Sequence, residues 1–363
     1  MKPALFRRIL GSATLLTAAC LLPAQTLQAE AYFDRYGLTP ASAALDLGTQ
    51  PLGYPSGVIS AVMSRDRIMQ KALALQGHPL KPHPFQRGAD MLPLLADKRL
   101  EAGLLGDVPT ILSASTGDVQ IVGLVKQTST AIVAKGDIQL HTLARKRIGY
   151  VDTSSAHHTL LQGLASTKLN ESDVTLVPMR VDDMPEALMQ GRIDAFAAWE
   201  PAPSIALSQS DKNRIIFRGL SSDYFVISSD FEKRSPEAAR ILTAGFVRAI
   251  EWMRRSQKNI ETAARWASAD VERFSGKPAT LPLNQIVAIT RREILNVPSA
   301  PTIISSPGAP PPLRSEFSFL QSKNKIPQHG DWTKVVKALN YDGLKRIMSD
   351  QSKYQTKQFD YAE

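Results

Sequence analysis

The chain has 363 residues, of which 43% are hydrophobic and 21% are charged, and its formal net charge is +9. This is an ordinary globular composition, and the length is sufficient for two regions that each have their own core. The lysines and arginines are scattered and no basic run is interleaved with aromatic residues, so the sequence predicts no nucleic-acid partner.

Residues 1–29 have the pattern of a signal peptide. Three basic residues precede an apolar run at 9–23, which is too short to cross a bilayer, because a span needs about 20 residues. Small residues predict cleavage after Ala29 or two residues later, and hence an exported, periplasmic protein. Cleavage would remove Cys20, the only cysteine. In the alternative interpretation Cys20 carries a lipid anchor, although Thr17 stands where such motifs usually have Leu.

Apolar runs that predict strands alternate with helical patterns along the middle of the chain. The predicted strands include 45–48, 119–125, 147–151, 174–178 and 195–198. The run 119–125 is apolar at nearly every position, as in a strand buried on both faces of a sheet. Pro82 and Pro84 disturb the strand candidate near residue 80, which predicts an edge strand or an irregular segment. The alternation predicts an α/β fold with parallel sheets and right-handed crossovers.

The C-terminal part of the chain has a different character. Residues 236–268 predict long helices, and residues 331–348 predict a final amphipathic helix. Between them, residues 297–313 contain six prolines. This segment predicts a stiff surface loop rather than part of a core.

Ser154 and Ser155 stand at the junction of a predicted strand and a predicted helix. Free N–H groups at a helix start, the positive end of the helix dipole and the two hydroxyls suit an anionic group such as sulfonate, carboxylate or nitrate. Serine is also a usual N-cap, and a cap requires no ligand. His157 lies in the first turn of this helix. Because His158 faces another direction, the two histidines are not expected to hold a metal.

Two further pairs of residues follow predicted strands. Gly106 and Asp107 open a helix, so Asp107 either caps that helix or accepts a hydrogen bond from a ligand. Trp199 and Glu200 follow the strand 195–198, and open α/β sheets place ligands at the carboxyl ends of their strands. Trp199 would supply a flat wall and Glu200 an acceptor. The alternative is a core tryptophan beside a solvated glutamate.

Four stretches of the sequence together resemble a known family. They are FQRGAD at 85–90, RLEAGLLGDVP at 99–109, RIGYVDTSSAH at 147–157 and GRIDAFAAWEP at 191–201. In this order and spacing, behind a signal peptide, they resemble the nitrate/sulfonate/taurine family of periplasmic substrate-binding proteins, which also includes binders of thiamine precursors. The resemblance extends from about Leu45 to Trp266.

The resemblance implies a type II periplasmic-binding-protein fold, in which two crossing hinge strands join two α/β lobes around a ligand cleft. We expect the crossings near 126–131 and 218–224. Lobe 1 would then contain residues 40–125 plus 225–363, and lobe 2 residues 126–224. A ligand that contacts both lobes favours the closed form, so capture is expected to occur by hinge closure.

The implied function is the capture of a small polar organic solute of the sulfonate, taurine or nitrate class. The implied partner is an ABC permease in the inner membrane, and the protein is expected to be a monomer without a cofactor. The sequence contains no nucleophile elbow, phosphate loop or zinc-protease motif, so no catalytic or metal-binding residue is predicted. Two alternatives are an enzyme of vitamin-precursor metabolism on the same fold and a sensory binding protein.

The predicted ligand site combines strand ends and helix starts of both lobes. It consists of Gln50, Tyr54, Arg87, Gly88, Gly106, Asp107, Ser154, Ser155, His157, Trp199 and Glu200. The helix start at Ser154 favours an anionic group, whereas Asp107 and Glu200 favour a hydrogen-bond donor. A bare anion beside two buried acids would cost several kcal/mol. We therefore expect an organic solute with at least one donor group.

Overall fold

A computed structural model of the protein describes residues 36–40, 42–295, 301 and 313–362. The predicted signal peptide with Cys20 lies outside these residues, as does most of the proline-rich segment 297–313. Residues 36–38 belong to an N-terminal unit, and every element named below lies in a second unit that begins at Thr39.

The described residues contain eight strands. They are β1 (Leu45–Thr49), β2 (Leu80–Pro84), β3 (Ala102–Gly106), β4 (Val119–Lys135), β5 (Arg147–Tyr150), β6 (Thr175–Pro178), β7 (Ala195–Ala198) and β8 (Asn213–Ser228). Their order in the sheet is β2-β1-β3-β8-β4-β7-β5-β6. The long strands β4 and β8 are central and antiparallel to each other. We call β1–β3 the first strand group and β5–β7 the second strand group.

The two long strands connect the strand groups. Lys126 pairs with Asp223 and Ala131 pairs with Arg218, so the two segments predicted to cross between lobes are hydrogen-bonded neighbours. β3 pairs with one end of β8, and β7 pairs with the opposite end of β4. The hydrogen bonding is therefore continuous through the long strands, and the α/β fold with two crossing strands is confirmed. The exact lobe boundaries stay a prediction.

Strand direction differs from the predicted parallel arrangement in the middle of the sheet. The short strands within each group are parallel, as predicted. However, β3 and β7 are antiparallel to the long strands beside them, because the chain crosses once in each direction. The edge position predicted from Pro82 and Pro84 is confirmed, since β2 is the outermost strand of the first group. Proline has no N–H to donate to a further strand.

Helices cover the sheet. In the described residues they are α1 (Ser56–Met63), α2 (Arg67–Leu75), α3 (Leu92–Ala96), α4 (Asp107–Thr116), α5 (Ser155–Ser166), α6 (Met184–Met189), α7 (Ala202–Gln209), α8 (Ser229–Arg234), α9 (Pro236–Arg255), α10 (Gln257–Ser275), α11 (Leu283–Leu295), α12 (Arg314–Ser322), α13 (Trp332–Ala338) and α14 (Asp342–Ser349). The predicted helical region 236–268 is thus divided at Ser256, whose hydroxyl accepts from the Asn259 amide and caps α10.

Each strand group has an apolar core of its own. Phe225 and Phe246 pack together in the first core, with ring centroids 4.9 Å apart. Phe196 and Leu188 lie in the core of the second group. A charged pair is also buried, because the Arg248 side chain of α9 pairs with Asp66 at the start of α2. In the described ranges, no helix combines the length and apolar character needed to cross a membrane.

Candidate ligand-binding cleft

A cleft lies between the two strand groups, beside the long strands. It is lined by Gln50, Gly53, Ser56, Arg87, Gly88, Ala89, Gly106, Pro109, Lys126, Thr130, Thr153, Ser154, Ser155, Trp199, Ser221 and Asp223. Gln50, Arg87 and Gly106 lie at or just after the ends of the first-group strands, whereas Ser154 and Trp199 follow β5 and β7. The empty volume is about 470 Å³, including solvent at the mouth.

Seven of the eleven predicted site residues line this cleft. They are Gln50, Arg87, Gly88, Gly106, Ser154, Ser155 and Trp199. Two of them make hydrogen bonds from one strand group to the other. The Arg87 guanidinium donates to the Asp152 carbonyl at 3.3 Å, and the Trp199 indole N–H donates to the Leu52 carbonyl at 3.3 Å. The cleft therefore unites residues that are far apart in the sequence, while ligand binding by these residues stays a prediction.

The start of α5 has the geometry expected of an N-terminal anion site. The Ser154 hydroxyl accepts from the His157 amide at 3.1 Å and donates to the Val151 carbonyl, so it is the helix cap. The amides of Ser155 and Ala156 belong to the first turn, where N–H groups have no intrahelical acceptor. The capping and ligand interpretations of this segment are thus compatible, because the cap uses the hydroxyl while the amides remain available.

Asp107 lies beneath the cleft and does not line it. Its carboxylate is 1% exposed and accepts from the amides of Val108 at 2.7 Å and Ser222 at 3.2 Å. The Ser155 hydroxyl also bonds this carboxylate. Burial raises the pKa of Asp107 to about 6, and the hydrogen bonds from Ser155 and Ser222 oppose the rise. Asp107 thus connects the start of α4 to β8 and to α5, rather than offering a free acceptor to a ligand.

Tyr54, His157 and Glu200 also lie outside the cleft lining. Tyr54 is buried beside a second, mostly apolar cavity. His157 packs against Tyr150, with its ring nitrogens 3.4 Å from Asp152 and 3.3 Å from Glu171, and burial lowers its pKa. In the part of the chain described, no group of three or more histidine, cysteine, aspartate or glutamate side chains is arranged so that it could hold a metal ion.

Glu200 is neither a solvated residue nor part of the cleft wall. It is 8% exposed, accepts from the Ser204 amide at 3.2 Å and pairs with Arg292 of α11 at 3.0 Å. Arg292 also pairs with Glu293, to which the Thr128 hydroxyl of β4 donates. Glu200 therefore joins the end of β7 to α11 and, through it, to a crossing strand.

The sequence interpretation missed the residues that the crossing strands bring to the cleft. Lys126 of β4 is 2% exposed, and its ammonium lies 3.7 Å from a carboxylate oxygen of Asp223 of β8. The other oxygen of Asp223 accepts from the Ser56 hydroxyl at 2.5 Å. Thr130 and Ser221 complete this floor. The polar gap between the apolar runs of β4 was the available indication, because a buried strand has polar residues where it lines a site.

Replacing Gly106 by Ala should weaken ligand binding about tenfold. The backbone at Gly106 (φ −65°, ψ 170°) suits alanine. However, the new Cβ would lie 2.5 Å from the Ser155 hydroxyl, so either the two strand groups separate or Ser155 leaves Asp107. Calorimetric titration would measure the affinity. Gly343→Ala is the control, because its Cβ meets no atom within 4 Å, and equal affinities for the two variants would contradict the prediction.

Comparison with known proteins agrees with this architecture. An aliphatic sulfonates-binding protein of Bacillus subtilis is 25% identical over 236 residues, which cover 60% of this chain and 70% of the relative. A protein of Escherichia coli K12 named in the same way is 27% identical over 165 residues, 44% of this chain. The match spans about half, 51%, of that E. coli relative.

Solved structures share the fold at lower identity. The alkanesulfonate-binding protein SsuA of Xanthomonas axonopodis pv. citri, bound to MOPS, superposes with a TM-score of 0.64 at 20% identity, covering 83% of this chain and 99% of that one. The desulfurization enzyme DSZB has the same fold, with a TM-score of 0.57 at 14% identity over 85% of this chain and 99% of its own. The model of the NMT1-like family matches residues 40–268, more than half of the sequence. The chain belongs to the NMT1-like family.

Proposed function

We propose that the protein is the substrate-binding component of an ABC importer and that its solute is a small organic sulfonate. The observation that supports this most directly is the composition of the cleft. The buried ammonium of Lys126, the guanidinium of Arg87 and the first turn of α5 line the same cleft. Such donors suit the oxygens of a sulfonate. Relatives named as sulfonate binders support the same class.

In this proposal the strand groups act as the cores of two lobes. Lobe 1 contains residues 40–125 plus 225–363, and lobe 2 contains residues 126–224. Solute would contact Arg87 and Gly106 on one side and Ser155 on the other, so it would bind the closed form better and shift the population towards it. The closed, monomeric protein would then deliver its solute to a membrane permease from the periplasm.

A thermal-shift panel with calorimetric confirmation tests the proposal. Ethanesulfonate and 2-aminoethanesulfonate represent organic sulfonates, whereas acetate and nitrate are the matched anions without a sulfonate. We expect at least one organic sulfonate to raise the melting temperature, because a ligand that binds only the folded state stabilises it. A shift with nitrate alone would contradict the proposal. Chemical change of a bound sulfonate, seen by mass spectrometry, would favour the enzyme alternative.

A further inference from the structure

Residues 313–340, which we call the strap, are bound to the first strand group and to the adjoining end of β4. The Asp331 amide donates to the Ser115 carbonyl near the end of α4, at 3.0 Å. The Asn340 amide donates to the Ile121 carbonyl of β4, at 3.2 Å. Helix α12 also lies against α4, the helix that follows β3. The strap is therefore anchored on one side of the cleft.

The ring of Phe319 connects the strap to the second strand group. It belongs to α12 and packs against the His158 ring of α5, with the ring centroids 4.5 Å apart. α5 follows β5 of the second strand group, and its start approaches the start of α4 closely at Gly106 and Ser155. If the strand groups separated, α5 would move away from α4 and from the strap bound to it. Opening of the cleft would therefore break the contact between Phe319 and His158.

His158 is buried at this contact without a hydrogen-bond partner. Its side chain is 3% exposed, and neither ring nitrogen has a partner within the described residues. A protonated ring would bury a charge and two N–H groups, which is costly when nothing accepts from them. Burial lowers the pKa of His158, the Glu316 carboxylate of α12 opposes this lowering, and His157 adds to it. Protonation thus disfavours the arrangement in which Phe319 covers His158.

The other charged groups beside this contact do not produce the same effect. Lys323 of the strap lies 5.9 Å from the Phe319 ring centroid and offers no negative charge to a protonated His158. Burial raises the pKa of Asp107 at the start of α4 to about 6, so the enclosed Asp107 binds a proton more readily than an exposed one. Acidification would therefore strengthen the closed arrangement through Asp107 and weaken it through His158. The sign of the change distinguishes these two groups.

We infer that the strap holds the two strand groups together beside the cleft, and that protonation of His158 releases it from α5. The closed arrangement is then favoured at neutral pH, and opening is favoured as the pH falls below the ordinary histidine pKa of about 6.5. The release is driven by the difference in proton affinity of His158 between the closed and open arrangements. The strap is thus a pH-dependent control on opening, built from contacts within the chain and independent of which solute is bound.

Hydrogen exchange of the full chain without added solute tests the release. Exchange of the α12 amides, which reports local opening, is compared at about pH 7.5 and about pH 5.5 with labelling times scaled to the intrinsic rate. We expect protection of α12 to fall about threefold to tenfold at the lower pH, since one unit of pKa difference corresponds to tenfold. His158→Phe should keep the aromatic contact and abolish the fall. His141→Phe, the same change at an exposed histidine, should retain it.

Small-angle X-ray scattering of the same samples tests whether the strap holds the strand groups together. The radius of gyration of the unmodified protein should rise at the lower pH, whereas that of His158→Phe should not. Phe319→Ala removes the contact and should give the larger radius at both pH values. Lost protection of α12 with an unchanged radius would overturn the role assigned to the strap.

Further outcomes decide the role of His158. Protection that is equal at the two pH values, or greater at the lower one, would overturn the inference. The full fall in a folded His158→Phe variant would assign the effect to another group and contradict it. If His158→Phe does not fold, Glu316→Gln decides. Because the Glu316 carboxylate opposes the lowering of the His158 pKa, its removal should enlarge the fall, and an unchanged or smaller fall would overturn the inference.

Discussion

Replacement of Arg248 by Met should lower the free energy of unfolding by about 3–5 kcal/mol. The Arg248 side chain is 2% exposed and donates to Asp66 at 2.9 Å, and to the carbonyls of Tyr354 and Gln355 at 3.1 Å each. Asp66 is fully buried, and burial raises its pKa while Arg248 opposes the rise. Methionine fills similar space but leaves a buried carboxylate and two carbonyls without their donor. Urea unfolding would measure the loss.

Two further variants separate the buried charge from the loss of packing. Arg248→Met combined with Asp66→Asn should recover part of the stability, because asparagine is neutral and still caps α2 through the Met69 amide. Arg67→Met removes an exposed pair with Asp360 and should cost less than about 1 kcal/mol. The loss in free energy of unfolding caused by Arg248→Met should become smaller as the pH falls, because protonation then neutralises Asp66. A double variant no more stable than the single one would contradict this explanation.

Replacement of Lys126 by Met should weaken sulfonate binding about a hundredfold or more. The ammonium of Lys126 is the buried positive charge on the cleft floor. Its removal would delete the charge-assisted hydrogen bond that we propose it donates to the ligand. The change also leaves the negative charge of Asp223 unbalanced beside an anion. Both effects oppose binding, so the loss should exceed that of an ordinary hydrogen bond.

Lys135→Met provides the matched control for Lys126→Met. Lys135 lies at the end of the same strand with an exposed side chain, outside the cleft lining. Calorimetric titration of both variants, with urea unfolding of each free protein, separates loss of binding from loss of folding. Unchanged affinity in a folded Lys126→Met variant would contradict the position proposed for the anionic group.

Two of the predicted site residues, Asp107 and Glu200, are buried beside the cleft for a common geometrical reason. Asp107 directly follows Gly106, and Glu200 directly follows Trp199. Gly106 and Trp199 line the cleft, whereas Asp107 and Glu200 do not. Neighbouring residues at a strand end or helix start project in different directions. A motif in the sequence therefore located the correct turn, but it did not distinguish the side chain that faces the ligand space from the one that faces the protein.

The long strand β4 shows how a local pattern can be divided wrongly. The sequence predicted a strand at 119–125 and a crossing near 126–131, where a polar gap separates the two apolar runs 119–125 and 131–134. The structure contains one continuous strand, because the polar residues of the gap are paired with β8. Lys126 and Thr130 lie in this gap and line the cleft. Polarity there reflects the site between the strand groups rather than the end of a strand.

Local patterns by themselves determined the α/β class, the edge position of β2 and the turns that surround the cleft. These features depend on hydrophobic periodicity, proline chemistry and helix starts, which act over a few residues. The approach of Lys126 to Asp223 was decided only by the tertiary structure. The whole second strand group lies between the two residues in the sequence, and the antiparallel register of β4 and β8 makes them neighbours. Such a register depends on the packing of both cores, so no short segment of the sequence specifies it.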